Sequence, residues 1–168
     1  MAQTAEGFIR KSGVMAGLFN LVLNPFFAWL SNMDMADVPP GAAAVDTVIT
    51  CLIMSLLVTL FTSADTRRAF KAGSLKTSIQ PSGRMLCRLP SRPWKLGLLL
   101  GFAFAAVVTP CLAGVYALFG VGSLAFFAFA ALKAVYTPLV AYAVARWVIL
   151  RQLAALAAAL PERGLRHP

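Results

Sequence analysis

At 168 residues, 60% of them hydrophobic and only 12% charged, the chain is too apolar for an ordinary soluble domain, whose apolar share is about 45 to 50%. The formal charge of +9 would suit a nucleic-acid binder, but eight basic residues (Arg67, Arg68, Lys71, Lys76, Arg84, Arg88, Arg92 and Lys95) share one connection between apolar runs. That is a membrane-topology pattern, so nucleic acid is set aside as a partner and an all-α integral membrane four-helix bundle is predicted.

The first span, about residues 13–30, opens on Gly13 and Gly17, a GxxxG pair of the kind that lets helix backbones approach closely. Arg10 and Lys11 precede it. A signal peptide fits poorly, because the run exceeds an h-region of roughly 7 to 15 residues, contains Asn20 and Asn24, and is followed by further spans. The two asparagines stand i, i+4 on one face, where they could act as glue between helices or as hydrogen-bonding groups for a ligand. Asn24-Pro25 is the first of three X-Pro steps, and Trp29 sits near the end of the span, as belt aromatics do.

A turn over 31–44 follows, with Asp34, Asp37 and the helix stop Pro39-Pro40-Gly41. The second span, about 45–63, carries Asp46 just inside its start. The basic connection, 64–95, is rich in Ser, Gly and Pro and is expected to be mostly irregular. Its stretch 73–78 has the ingredients of a phosphate loop but not the order. Attraction to anionic lipid head groups is the expected role of its charge, at about 1 kcal/mol per basic residue near a membrane surface.

The third span, about 96–119, opens on Gly97 and Gly101 and contains Thr109-Pro110. The link 119–123 is so short that the third and fourth helices are predicted to form a tight antiparallel hairpin. Along the fourth span, about 123–150, lie Lys133, Tyr136 and Thr137-Pro138, with Trp147 near its end, and an Ala/Leu helix is expected over 151–160. The glycine pairs of the two halves are offset by 84 residues and their prolines, Pro25 and Pro110, by 85. Two parallel hairpin repeats would give that pattern, and so would chance, since Gly and Pro are frequent in membrane helices. The glycines are expected to pack the odd helices against each other or against a second copy of the chain.

With the basic connection inside, both termini are cytoplasmic, and a bacterial-type inner membrane is the expected location. Lys133 is the residue most in need of explanation, because a lysine at a helix centre costs about 2.5 to 3.5 kcal/mol. Proline at 25, 110 and 138 would free the carbonyls of Leu21, Ala106 and Ala134. If those helix kinks face one another, Lys133, Asn20, Asn24, Thr109, Tyr136 and Thr137 could bind an anionic solute or lipid head group near mid-membrane. In the competing reading, Lys133 leans toward the outer side and meets Asp46 in an ion pair that orders the bundle.

Two functions follow. One is a transporter-like protein or permease subunit; the other is a non-catalytic interaction protein, accessory or immunity-type, that binds another membrane protein through its helices. A homo-oligomer or a larger membrane partner is expected in either case. Enzymatic chemistry is not: His167 is the lone histidine, and no catalytic set, HExxH or CxxC is present. Cys51, Cys87 and Cys111 have no metal-ligand spacing, so neither metal nor cofactor is predicted.

Overall fold

The computed structural model describes residues 3–32, 36–76 and 89–164. Asp34, Arg84, Cys87, Arg88 and His167 lie outside the described residues. Four long helices dominate: α1 (Ala5–Asn32), α2 (Pro40–Lys71), α3 (Pro93–Phe119) and α4 (Phe126–Gly164). Each is long and apolar enough to cross a membrane, fitting a multi-pass membrane protein.

The helices outrun the predicted apolar runs at the end that carries the basic residues. α1 starts at Ala5 rather than Gly13, and α2 continues through Asp65 to Lys71, a stretch expected to be irregular. α4 is one uninterrupted helix that includes the Ala/Leu segment 151–160. At 32 residues, α2 is about 48 Å long against a hydrocarbon core of about 30 Å, so polar residues at its end can stay helical in water. The chain also stays helical through Pro25, Pro110 and Pro138.

Helix starts and stops follow the local sequence. α2 and α3 begin with proline in the first turn, where a missing N–H loses nothing. α3 ends at Gly120, which takes a left-handed φ of 60°. The N–H of Val121 then turns back to the Tyr116 carbonyl at 3.2 Å.

The packing order is α1, α4, α2, α3, and it overturns the expected hairpin. α3 and α4 are joined by a short link yet touch sparsely, as do α1 and α2. Each odd helix instead lies along the even helix of the other hairpin, α1 on α4 and α3 on α2, while α2 and α4 meet in the middle. The glycines explain why, and they pack odd against even rather than odd against odd. Gly13 faces the Tyr142 ring and Gly17 faces Pro138; Gly97 faces Leu56 and Gly101 faces Leu52. A side chain at these positions would hold the helix pairs apart.

The partners repeat at a constant offset, since 142 exceeds 56 and 138 exceeds 52 by the same 86 positions. Two short ladders tie the ends. At the end away from the basic residues, β2 (Asp37–Val38) pairs antiparallel with β4 (Leu124–Ala125), placing Val38 opposite Leu124, again 86 positions apart. At the basic end β1 (Gln3–Thr4) pairs parallel with β3 (Leu75–Lys76). Several contacts thus recur between the two halves of the chain at one offset.

Apolar side chains fill the spaces between these pairs. Met54 and Val58 of α2, Leu96 and Leu100 of α3, and Val140, Val144 and Val148 of α4 form one cluster. Ala28, Val38, Leu112, Tyr116 and Phe129 form a second at the β2–β4 end. Ala5, Ile9, Ile149 and Leu153 close the basic end between α1 and α4.

A methyl group at Gly97 would lie 2.9 Å from the Leu56 Cα and one at Gly101 3.0 Å from the Leu52 Cα, whereas Gly114 has open space. Gly97→Ala and Gly101→Ala should each destabilise the detergent-solubilised protein by about 1 to 3 kcal/mol, the scale of overpacking. Gly114→Ala should be neutral or stabilising by up to about 1 kcal/mol, through helix propensity. Thermal unfolding of the three variants checks the contrast.

Candidate functional site

Lys133 lies in the second turn of α4, seven residues after Phe126, and therefore about 10 Å from the helix start. Its side chain leans back toward that end, as the Cα–Cβ direction in a helix requires, and its ammonium sits 5.6 Å from the Phe129 ring centroid. It is 0% exposed. The ammonium donates to Asp46 Oδ2 at 2.5 Å and to Thr50 Oγ1 at 3.0 Å, both on α2. Asp46 itself is 16% exposed, so the carboxylate caps the pair on the side nearer the helix ends.

Thr50 is the residue that sequence reasoning missed. The signal was available: Asp46 and Thr50 are four apart and so share a face of α2, where together they present an anion and a hydroxyl to one cation. Thr47 adds a looser contact, 3.4 Å from the Tyr136 hydroxyl. The pairs Lys133–Thr50 and Tyr136–Thr47 exchange under the 86-residue offset, 133 with 47 and 136 with 50.

The remaining predicted site residues divide into separate places. Thr137 is fully buried and donates to the Lys133 carbonyl at 2.8 Å, within its own helix. Asn20 and Asn24 are each 6% exposed. Asn24 Nδ2 donates to Asn20 Oδ1 at 2.9 Å and to the Asn20 carbonyl at 3.1 Å, while Asn20 Nδ2 donates to the Ala16 carbonyl at 2.8 Å. This amide chain runs along α1 and meets α2 at the Met54 sulfur. Thr109, on α3, has a buried hydroxyl with no hydrogen-bond partner among the described residues. Pro138 is occupied in receiving Gly17.

What the arrangement can do chemically is therefore limited. The Lys133 ammonium has no accessible surface and is held by a carboxylate and a hydroxyl. Its energetic role is clear, because breaking a buried pair leaves an uncompensated charge. Elsewhere, Tyr116 donates to the Val38 carbonyl at 3.0 Å, joining α3 to the turn between α1 and α2. Gln152 donates to Ser63 at 3.3 Å, and Arg151 to the Leu89 carbonyl at 3.1 Å, joining α4 to the basic end. Among the described residues, no group of three or more His, Cys, Asp or Glu side chains could hold a metal ion.

Among the described residues, one cleft lies between α1 and α2 and another between α3 and α4. The α1–α2 cleft has a volume of about 600 Å³ and the α3–α4 cleft about 170 Å³. Asn20 lines the first and Tyr136 the second.

Lys133→Met should lower stability by about 3 to 5 kcal/mol, since it strands the Asp46 carboxylate against α4. The double variant Lys133→Met/Asp46→Leu should recover most of that loss, because apolar replacement of both partners removes the buried charge altogether. Thermal unfolding of the single and double variants in one detergent measures the difference.

No family model matches this chain, and no curated protein or solved structure is significantly similar to it.

Proposed function

We propose that this is a non-catalytic multi-pass protein of a bacterial-type inner membrane, with both termini cytoplasmic, that works by binding another membrane protein through its outer helix faces. The observation that supports it best is the enclosed state of Lys133, whose ammonium is spent on Asp46 and Thr50. A carrier of anions would need that cation, or another one at depth, exposed to a cavity in at least one state. Asn20 and Thr137 bond within their own helices and Asn24 within α1 and to the Met54 sulfur of α2, and this too favours a filled scaffold over a hydrated path. The four glycines are taken up by packing within the chain, so they are not the docking face for a partner or a second copy. Docking falls instead to large apolar side chains on the outer surfaces of α3 and α4, such as Phe102, Val107, Phe127, Val135 and Leu139.

Wild type and Lys133→Met/Asp46→Leu distinguish this reading from the transporter-like one. In proteoliposomes neither protein should take up phosphate or a small carboxylate. In mild detergent both should retain the same membrane protein in a fixed ratio, and that ratio should fall for Phe127→Ser/Leu139→Ser. Saturable anion uptake by the wild type that disappears in the Lys133→Met/Asp46→Leu variant would reverse the conclusion in favour of transport.

A further inference from the structure

The α1–α2 cleft runs inward from the basic end of the bundle, with Lys11 and Ser12 of α1 at its mouth. Phe19 of α1 faces it from one side and Leu57 and Phe61 of α2 from the other, and Leu23 and Met54 stand at its deep end. Asn20 also borders it, but its Nδ2 donates to the Ala16 carbonyl and its Oδ1 accepts from Asn24. At about 600 Å³ the cleft is of the size that holds a small molecule, about 300 to 1,000 Å³. From Lys11 to Leu23 it follows α1 for about 18 Å by helical rise. One leaflet of a hydrocarbon core about 30 Å thick is about 15 Å deep.

Charge at the mouth sets the kind of head group. Lys11 is exposed and, among the described residues, joins no ion pair. Asp65 borders the cleft too, but Arg68 Nη1 lies 4.0 Å from its Oδ1. Lys11, Arg68 and Asp65 therefore leave one net positive charge there. Arg10, Arg67 and Lys71 add exposed cations on the same helix ends, with Glu6 as the further acid. A basic pocket between membrane helices suits an anionic lipid head. A zwitterionic head carries an ammonium as well, which meets Lys11 and Arg68 as a like charge, and the Asp65 carboxylate already faces Arg68.

We infer that the α1–α2 cleft holds one anionic phospholipid, with its phosphate at the Lys11 ammonium and the Ser12 hydroxyl and one acyl chain between Phe19 and Phe61. The phosphate accepts charge-assisted hydrogen bonds from the ammonium, and the chain covers aromatic and aliphatic side chains that the helices leave apart. This site goes beyond the proposed docking function, which falls on α3 and α4, so loss of the lipid and loss of the partner are read separately. It also differs from the general attraction of a basic surface, because the cleft holds the chain as well as the head.

The test is native mass spectrometry of the full-length protein released from nanodiscs that hold equal parts phosphatidylglycerol and phosphatidylcholine. One retained lipid is expected, with phosphatidylglycerol favoured by about fivefold, the scale of one basic residue at an anionic surface. Lys11→Gln should bring that ratio close to parity while a lipid is still retained. Leu57→Trp, which puts an indole into the cleft and leaves the mouth untouched, should remove the lipid of either class. Unfolding temperatures establish that both variants fold; should Leu57→Trp not fold, Lys11→Gln, at an exposed position, carries the test. No retained lipid, a lipid that mirrors the nanodisc composition, a ratio unmoved by Lys11→Gln, or full retention by folded Leu57→Trp would overturn the assignment.

Discussion

One ion pair holds the two hairpins to a single arrangement. Lys133 on α4 and Asp46 on α2 meet between the helices that form the centre of the bundle, with Thr50 completing the ammonium's coordination. Apolar packing between helices is tolerant of small slides, but a buried cation is not, because every displacement leaves it without a counter-charge. The pair therefore sets the register of α2 against α4. Around it, Tyr136 meets Thr47 and Thr137 donates to the Lys133 carbonyl.

Given that register, the glycines decide what lies outside the central pair. α1 and α3 come close enough to α4 and α2 for a missing Cβ to matter, and they do so at positions that repeat through the chain. The short ladder at Val38 and Leu124 joins the two interhelix turns at one end, and Tyr116 reinforces it by donating to the Val38 carbonyl. Few contacts are left over for the hairpins themselves, so the clefts within them stay open to different degrees. Dispersion between close backbones and one well-placed charge pair thus account for most of the architecture.

Much of this is legible from residues alone. The four helices follow from runs of apolar residues, and their ends from Pro39-Pro40 and Gly120. Lys133 with Asp46 is legible as one of two alternatives, since both stand near the same end of their helices. The helical continuation from Asp65 to Lys71 is not, because charged residues beyond a hydrocarbon core look the same in a loop as in a solvated helix. Nor is the pairing of α1 with α4. A short link constrains the ends of two helices, but it says nothing of their splay, and GxxxG marks a close approach without naming the partner. How Lys133, Asn24 and Thr109 stand relative to one another is not legible for the same reason: spacing within a helix gives a face, and only the packing order says what that face meets.

The crossed arrangement has a consequence for how the chain is made. α1 leaves the ribosome before α4, whose surface receives Gly13 and Gly17. Until α4 follows, that face of α1 has no lasting mate. The nascent chain thus carries α1 unpaired while α2 and α3 are made, and quality control that recognises orphaned segments would meet it in that interval.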